Sequence, residues 1–222
     1  MLGDAIGDFL PSAIAVALSP IPIVAVVLIL GSSHARTAGP AFAIGWVAGL
    51  AAVSALVVLV LSGSADPDAD DEGVAWLKLV IGLLFLGLAA KQWQKRPREG
   101  EEPEMPAWMA KADDATAPRA AMLGLALSGA NPKNMALTLA TAATISEAGL
   151  EPSDEAIAIA VFVALGSVTV AGAVLAYLVL GDRATRPLAG VRGFMAANNT
   201  AIMLVILVLL GAKFVGDALA GL

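Results

Sequence analysis

Apolar residues run unbroken along this chain in six stretches, each long enough to cross a hydrocarbon layer, which a helix spans in roughly 20 residues. They extend from Ile6 to Leu30, Pro40 to Leu61, Val74 to Ala90, Ala120 to Ile145, Ala156 to Leu180 and Thr200 to Leu219. The third is the shortest. Charged, Gly-rich or Pro-rich connections separate them. The connection from Ser62 to Gly73 carries Asp66, Asp68, Asp70, Asp71 and Glu72 without a lysine or arginine. The pattern predicts an all-α integral membrane protein of six transmembrane helices.

The longest connection, Gln92 to Arg119, mixes both signs of charge with Pro97, Pro103, Pro106 and Pro118. It divides the chain into residues 1–91, a linker 92–119 and residues 120–222. Within it, Trp108 and Met109 fit either a short interfacial turn or a solvated loop. Leu188, Val191, Phe194 and Met195 have helical spacing beside Arg186 and Arg192, as a short amphipathic helix on the inner surface would require. The basic residues set the orientation, because Lys and Arg in short loops stay on the cytoplasmic side. Arg36, then Lys91, Lys95, Arg96, Arg98, Lys111 and Arg119, then Arg183, Arg186 and Arg192 fall in alternate connections. The opposite side holds only acids, among them Glu147, Glu151, Asp154 and Glu155, with Asp4 and Asp8 at the start of the chain. Both termini are expected outside, and the linker inside. The N-terminus has neither a basic n-region nor a small-residue cleavage site, so the first span is expected to stay in the mature protein.

Composition sharpens this picture. A chain of 222 residues that is 59% hydrophobic and 14% charged, with mean hydropathy +0.84, is too apolar for a soluble domain of its length. The net charge of −6 matters less than its segregation. There is no cysteine, so thiolate metal sites and disulfides do not arise.

The halves echo one another. Ala17-Leu18-Ser19-Pro20-Ile21-Pro22 in the first span matches Ala126-Leu127-Ser128-Gly129-Ala130-Asn131-Pro132 in the fourth, with one residue inserted. Leu86-Gly87 matches Leu210-Gly211, each followed by a lysine. Three spans per copy is an odd number, so the second copy must enter the bilayer from the other side: two inverted three-helix repeats, an arrangement many transporters use.

Prolines fall near the middle of the first and fourth spans. Pro20, Pro22 and Pro132 would disrupt bonds to Val16, Leu18 and Ser128, since proline lacks the amide donor. Ser19-Pro20 and Asn131-Pro132 also have the form of helix starts. Helices 1 and 4 are therefore expected to be broken at their Pro motifs, with the two breaks facing each other inside the bundle, because exposed backbone is not tolerated in lipid. Lys133 lies beside the second break, where an ammonium costs on the order of 3 kcal/mol. No carboxylate lies at that depth; Asp8 and Asp217 sit near the outer ends. Three fates remain for Lys133: hydrogen bonds to freed carbonyls near Val16 and Leu18, loss of its proton, or a bound anionic group. For an anion, Asn131 to Asn134 would add amide donors and a favourable dipole. The candidate binding residues are Lys133, Asn131, Asn134, Pro132, Ser19, Pro20, Pro22 and Ser128.

Other polar positions have plainer readings. Lys78 and Lys213 can snorkel to the outer interface. Gly45-x-x-x-Gly49 and Gly166-Ser167 allow close helix packing, and Trp46 and Tyr177 read as packing or interfacial residues. His34 is the single histidine and lies in a cytoplasmic connection, so no metal cluster, cofactor or catalytic residues are expected, and no enzyme.

Asn131-Pro132-Lys133, opposite a proline motif in the first span, resembles the lysine-exporter (LysE) superfamily over essentially the whole chain. Leu10-Pro11, Ala17 to Pro22, Gly45-Trp46 and Asn131 to Asn134 look most like its GAP branch, the glycopeptidolipid- and sulfolipid-addressing, Sap-like proteins of actinobacteria. Amino-acid exporters of the superfamily typically carry Pro-Gly-Pro, where this chain has Pro20-Ile21-Pro22. The resemblance implies a bacterial inner-membrane protein that helps move a lipid or glycolipid, with membrane lipids and a larger lipid exporter as partners. A homo-oligomer is open, and no nucleic-acid partner is expected. The chemistry itself supports an anionic substrate at the midplane, and the resemblance alone makes it an amphiphile. Two other functions compete: export of amino acids, other small solutes or cations, and a non-transporting scaffold for a larger lipid exporter.

Overall fold

The computed structural model describes residues 2–63, 72–94 and 115–221, and every regular element among them is helical. The helices are α1 (Leu2–Ala17), α2 (Pro20–Leu30), α3 (Ala35–Gly63), α4 (Glu72–Gln94), α5 (Ala117–Gly129), α6 (Pro132–Glu147), α7 (Pro152–Leu180), α8 (Thr185–Ala197) and α9 (Asn199–Gly221), with a 3-10 turn at Gly181–Ala184. Most of the acidic connection after α3 and most of the linker, including Trp108 and Met109, lie outside the described residues.

Four of these helices, α3, α4, α7 and α9, are each long and apolar enough to cross a membrane, and α1 with α2 forms a fifth such unit bent by 47°. The α5–α6 pair does not reach that apolarity. Its second half carries Lys133, Asn134, Thr138 and Thr141, all buried in the bundle. Helix α6 is flanked by α1, α3, α4 and α7, so protein rather than lipid covers its polar face. The outer surface is apolar instead: Ile44, Leu56 and Leu59 of α3, Met122 of α5, Leu175 of α7 and Leu209 of α9 are each at least 60% exposed. In water such a continuous apolar surface would be costly, at about 1.5–3 kcal/mol for a large side chain. The chain is a multi-pass membrane protein.

Both proline motifs break their helices as expected. Ser19 (φ −70°, ψ 113°) and Asn131 (φ −76°, ψ 119°) are extended N-caps, each followed by proline at the first helical position. This equivalence pairs Pro20 with Pro132. The shared string Ala-Leu-Ser, which suggested pairing Pro22 with Pro132 through an insertion, is out of step with the backbone, and Ser128 lies inside α5 where Ser19 caps α2.

Small residues decide the packing. Helix α5 lies along α3 at backbone contact: a Cβ on Gly45 would stand 2.0 Å from the Ala121 carbonyl oxygen, and one on Gly124 would stand 2.2 Å from that of Phe42. Trp46 is fully buried at this seam. Helices α4 and α9 meet at Gly82 and Gly211, beside the Phe85–Phe214 ring pair at 5.9 Å. Helix α8 forms as expected and packs on α2, but its apolar positions divide. Leu188 and Met195 are half-buried, whereas Val191 and Phe194 are exposed, because residues so spaced span more of the helix than one contact covers.

Gly45→Ala and Gly124→Ala should each destabilise the protein by about 1–3 kcal/mol, the range for overpacking a filled seam. Gly87→Ala, whose Cβ meets nothing within 4 Å, should not. Thermal unfolding in detergent checks this; equal melting temperatures would contradict the backbone contact.

Candidate functional site

At the first break the amide of Ser19 turns back to the carbonyl of Val16 at 3.2 Å, a 3-10 closure. The carbonyl of Ala15, which a continuous helix would pair with that amide, is released instead. Lys133 fills the gap: its Nζ donates to the Ala15 carbonyl at 2.9 Å and to Ser19 Oγ at 2.6 Å. The freed group that Lys133 meets is thus Ala15, and Val16 is re-paired with the Ser19 amide. Counting back from proline finds the missing donor but not the local tightening that hands Val16 a new one.

Asn134 serves the second break. Its Nδ2 donates to the Leu127 carbonyl at 3.0 Å, and its Oδ1 lies 3.4 Å from Ser19 Oγ. With Ser19 set on Asn131, Ala15 falls on Leu127, so adjacent side chains of α6 cap the equivalent carbonyl of both broken helices. The orphaned carbonyl of Ala17 is met from a third direction by Thr169 Oγ1 of α7, at 2.6 Å.

The structure therefore gathers Ser19, Lys133 and Asn134 into one cluster, each 5% exposed or less. Pro20 and Pro22 are buried beside it in the first turn of α2. Pro132 is exposed at the start of α6. The Asn131 side chain turns to its own helix and accepts from the Lys133 amide at 3.0 Å. One of the amide donors anticipated for an anion is thereby occupied. Ser128 does not join: its Oγ donates to the Leu125 carbonyl at 3.1 Å, and it packs against Gly49 of α3. Sequence reasoning missed Thr169, for which a hydroxyl in the middle of an apolar span was the available signal. It also missed Ala15 and Leu127, whose side chains carry none.

Lys133 meets no carboxylate among the described residues. The ion pairs there are Lys78–Glu147 and Lys213–Asp217, both at 2.5 Å, so each outer lysine is held by an acid rather than only snorkelling. Two neutral oxygens are the hydrogen-bond partners of Lys133 Nζ. At the N-terminal end of α1, the α1–α6 seam runs to a cavity of about 260 Å³ lined by Asp4, Asp8, Thr144 and Glu147.

An apolar exterior, two broken helices and a cation sealed between them define a membrane protein whose chemistry is held inside the bundle. The chain belongs to the Sap, sulfolipid-1-addressing protein family, whose model matches residues 9–220. No curated protein and no solved structure matches it.

Ser19→Ala should cost about 1–3 kcal/mol, because it strips an acceptor from a buried charged donor. Lys133→Met should cost about 1–3 kcal/mol as well, because it leaves the buried Ala15 carbonyl without its donor. Chemical or thermal unfolding in detergent measures both. A methionine variant as stable as the parent would contradict the capping role of Lys133.

Proposed function

We propose that this protein moves, or helps to move, an anionic amphiphilic lipid or glycolipid across the plasma membrane, with Lys133 meeting the headgroup. The observation that carries this reading is the buried Lys133 amine held by neutral oxygens alone. A charge there is expensive in lipid and is commonly kept for a pathway or a ligand. The family's description speaks of a sulfolipid, and a sulfate ester is an anion of the kind an ammonium would bind. Asn134 and Ser19 are the neighbouring polar groups, and binding would exchange Ser19 Oγ for a headgroup oxygen.

In this reading the chain crosses six times, with α1–α2 and α5–α6 as the broken crossings and both termini outside. Several features support an inverted repeat. Helices α3 and α7 both have 29 residues, and α4 and α9 both have 23. The two N-caps share one backbone conformation. Gly49 lies against Ser128, and Gly166 lies against Val16. Setting Ser19 on Asn131 and Gly49 on Gly166 makes those two contacts the same contact. The resemblance to the LysE superfamily agrees with this architecture.

A scaffold that recruits a larger lipid exporter is the second reading. The closed midplane, with Asn134 fully buried, is what favours it.

Reconstitution in phosphatidylglycerol–phosphatidylethanolamine vesicles with a fluorescent sulfatide separates the two. The parent should speed movement of the probe between leaflets, and Lys133→Met and Lys133→Ala should reduce that rate at least tenfold. Wild-type rates in both variants would remove Lys133 from the mechanism, and a parent that moves no probe would favour the scaffold.

Topology has its own check. Cysteines placed between Asp66 and Glu72 should label from outside intact cells, while those between Gln92 and Arg119 should not. The reverse pattern would invert the orientation.

A further inference from the structure

The repeat makes the α3–α5 seam the counterpart of the α1–α7 seam, and the two are built differently. Phe9 takes the place of Ala121, and Phe162 takes the place of Gly45. Where Gly45 touches the Ala121 backbone, Phe9 and Phe162 stand edge to face with ring centroids 6.0 Å apart. Where a Cβ on Gly49 would be 2.1 Å from Ser128 Oγ and 3.1 Å from the Leu125 carbonyl oxygen, the nearest atoms to one on Gly166 would be side-chain carbons of Val16 and Leu50, at 3.1 Å and beyond. One seam is backbone on backbone. The other is held apart by side chains that can change rotamer, and it is latched by the Thr169 hydroxyl on the Ala17 carbonyl.

We infer that the α1–α7 seam is the side entrance of the Lys133 site, taken by the acyl chain of the substrate, while the α3–α5 seam is a fixed wall. This rests on the lipid reading above. Opening the first seam separates apolar side chains and one hydrogen bond, and lipid tails replace those contacts in kind. Opening the second would break close backbone packing along a whole helix. The chemistry of the route also selects the occupant. Phe9, Val16, Phe162 and Gly166 carry no charge, so an acyl chain can lie between them. The axial route along α1–α6 instead brings a negative headgroup past the exposed Asp8 carboxylate. A lipid entering from the side keeps its tail in hydrocarbon while its headgroup reaches Lys133, which Ala15 and Ser19 of the same α1–α2 crossing hold. Movement of α1 would therefore open the entrance and release the ammonium together.

The absence of native cysteine lets paired spin labels report each seam separately. Gly7→Cys with Ala160→Cys spans α1–α7, and Ala48→Cys with Met122→Cys spans α3–α5; all four positions are exposed. In phosphatidylglycerol–phosphatidylethanolamine vesicles containing sulfatide, the first pair should show a second, longer distance and the second pair a single narrow one. Thr169→Val in the first pair should raise the longer population roughly threefold, the worth of a typical intramembrane hydrogen bond. A single narrow distance across α1–α7 in both backgrounds, or equal broadening across α3–α5, would overturn the inference.

Transport gives a second readout. Bridging Phe9→Cys to Phe162→Cys with a bis-thiosulfonate should stop sulfatide movement until reductant is added. Bridging Val53→Cys to Gly129→Cys, where a Cβ would lie 3.5 Å from Val53, should not. The spin-label distances need no transport and no Lys133, so a seam that opens in a protein whose lysine proves dispensable would sink the headgroup role and leave the entrance standing. A seam that stays shut while movement still depends on Lys133 would do the reverse.

Discussion

A carbonyl that loses its helical donor in the middle of a hydrocarbon layer has no water to turn to, and leaving it unpaired costs several kcal/mol. Two helices here break inside an apolar bundle, so donors must come from elsewhere. Several come from one place, the first turn of α6, where Lys133 reaches Ala15 and Asn134 reaches Leu127. Thr169 supplies a further donor, to Ala17. Once these donors are required, much of the arrangement follows: α6 must sit inside, its polar face must be covered by α1, α3, α4 and α7, and both breaks must lie within reach of a single turn.

That requirement also explains which parts of the structure could be read from the sequence. The breaks were legible because Ser19-Pro20 and Asn131-Pro132 are local signals, needing no knowledge of the partner helix. The long apolar spans were legible for the same reason. Gly45 and Gly49 pointed to a close approach but could not name α5 as the helix that approaches. Lys133 was conspicuous as a lone cation at depth, yet its partner is a main-chain oxygen of alanine, and no side chain advertises a carbonyl. Ser128 misled because its string matched that of Ser19. The backbone conformation, not the letters, sets the correspondence, and it places Asn131 there.

The fourth apolar stretch does not reach the apolarity of the other spans for a physical reason. Hydropathy measures what a segment would meet in lipid, but α6 meets mostly protein, and its threonines, asparagine and lysine face inward. A crossing that carries the chemistry of a bundle is the one whose composition departs most from the lipid-facing rule. The same logic separates the lysines. Lys78 and Lys213 have acids beside them, whereas Lys133 has only neutral oxygens.

The α3–α5 and α1–α7 seams differ, and the difference has a direction. Glycines let α5 meet the backbone of α3 directly, whereas the Phe9 and Phe162 rings stand between α1 and α7. The donors Lys133 and Asn134 sit on α6, which follows α5, and the acceptors Ala15 and Ser19 sit at the α1–α2 break. Were the α1–α7 seam to open, the element that stays would carry the charge, and the element that moves would carry the neutral oxygens that quiet it. If α1 shifted, the costly ammonium would stay where it is and lose its partners. A headgroup arriving at that moment would replace them at a fixed point, which is the arrangement a binding site needs and a structural cap does not.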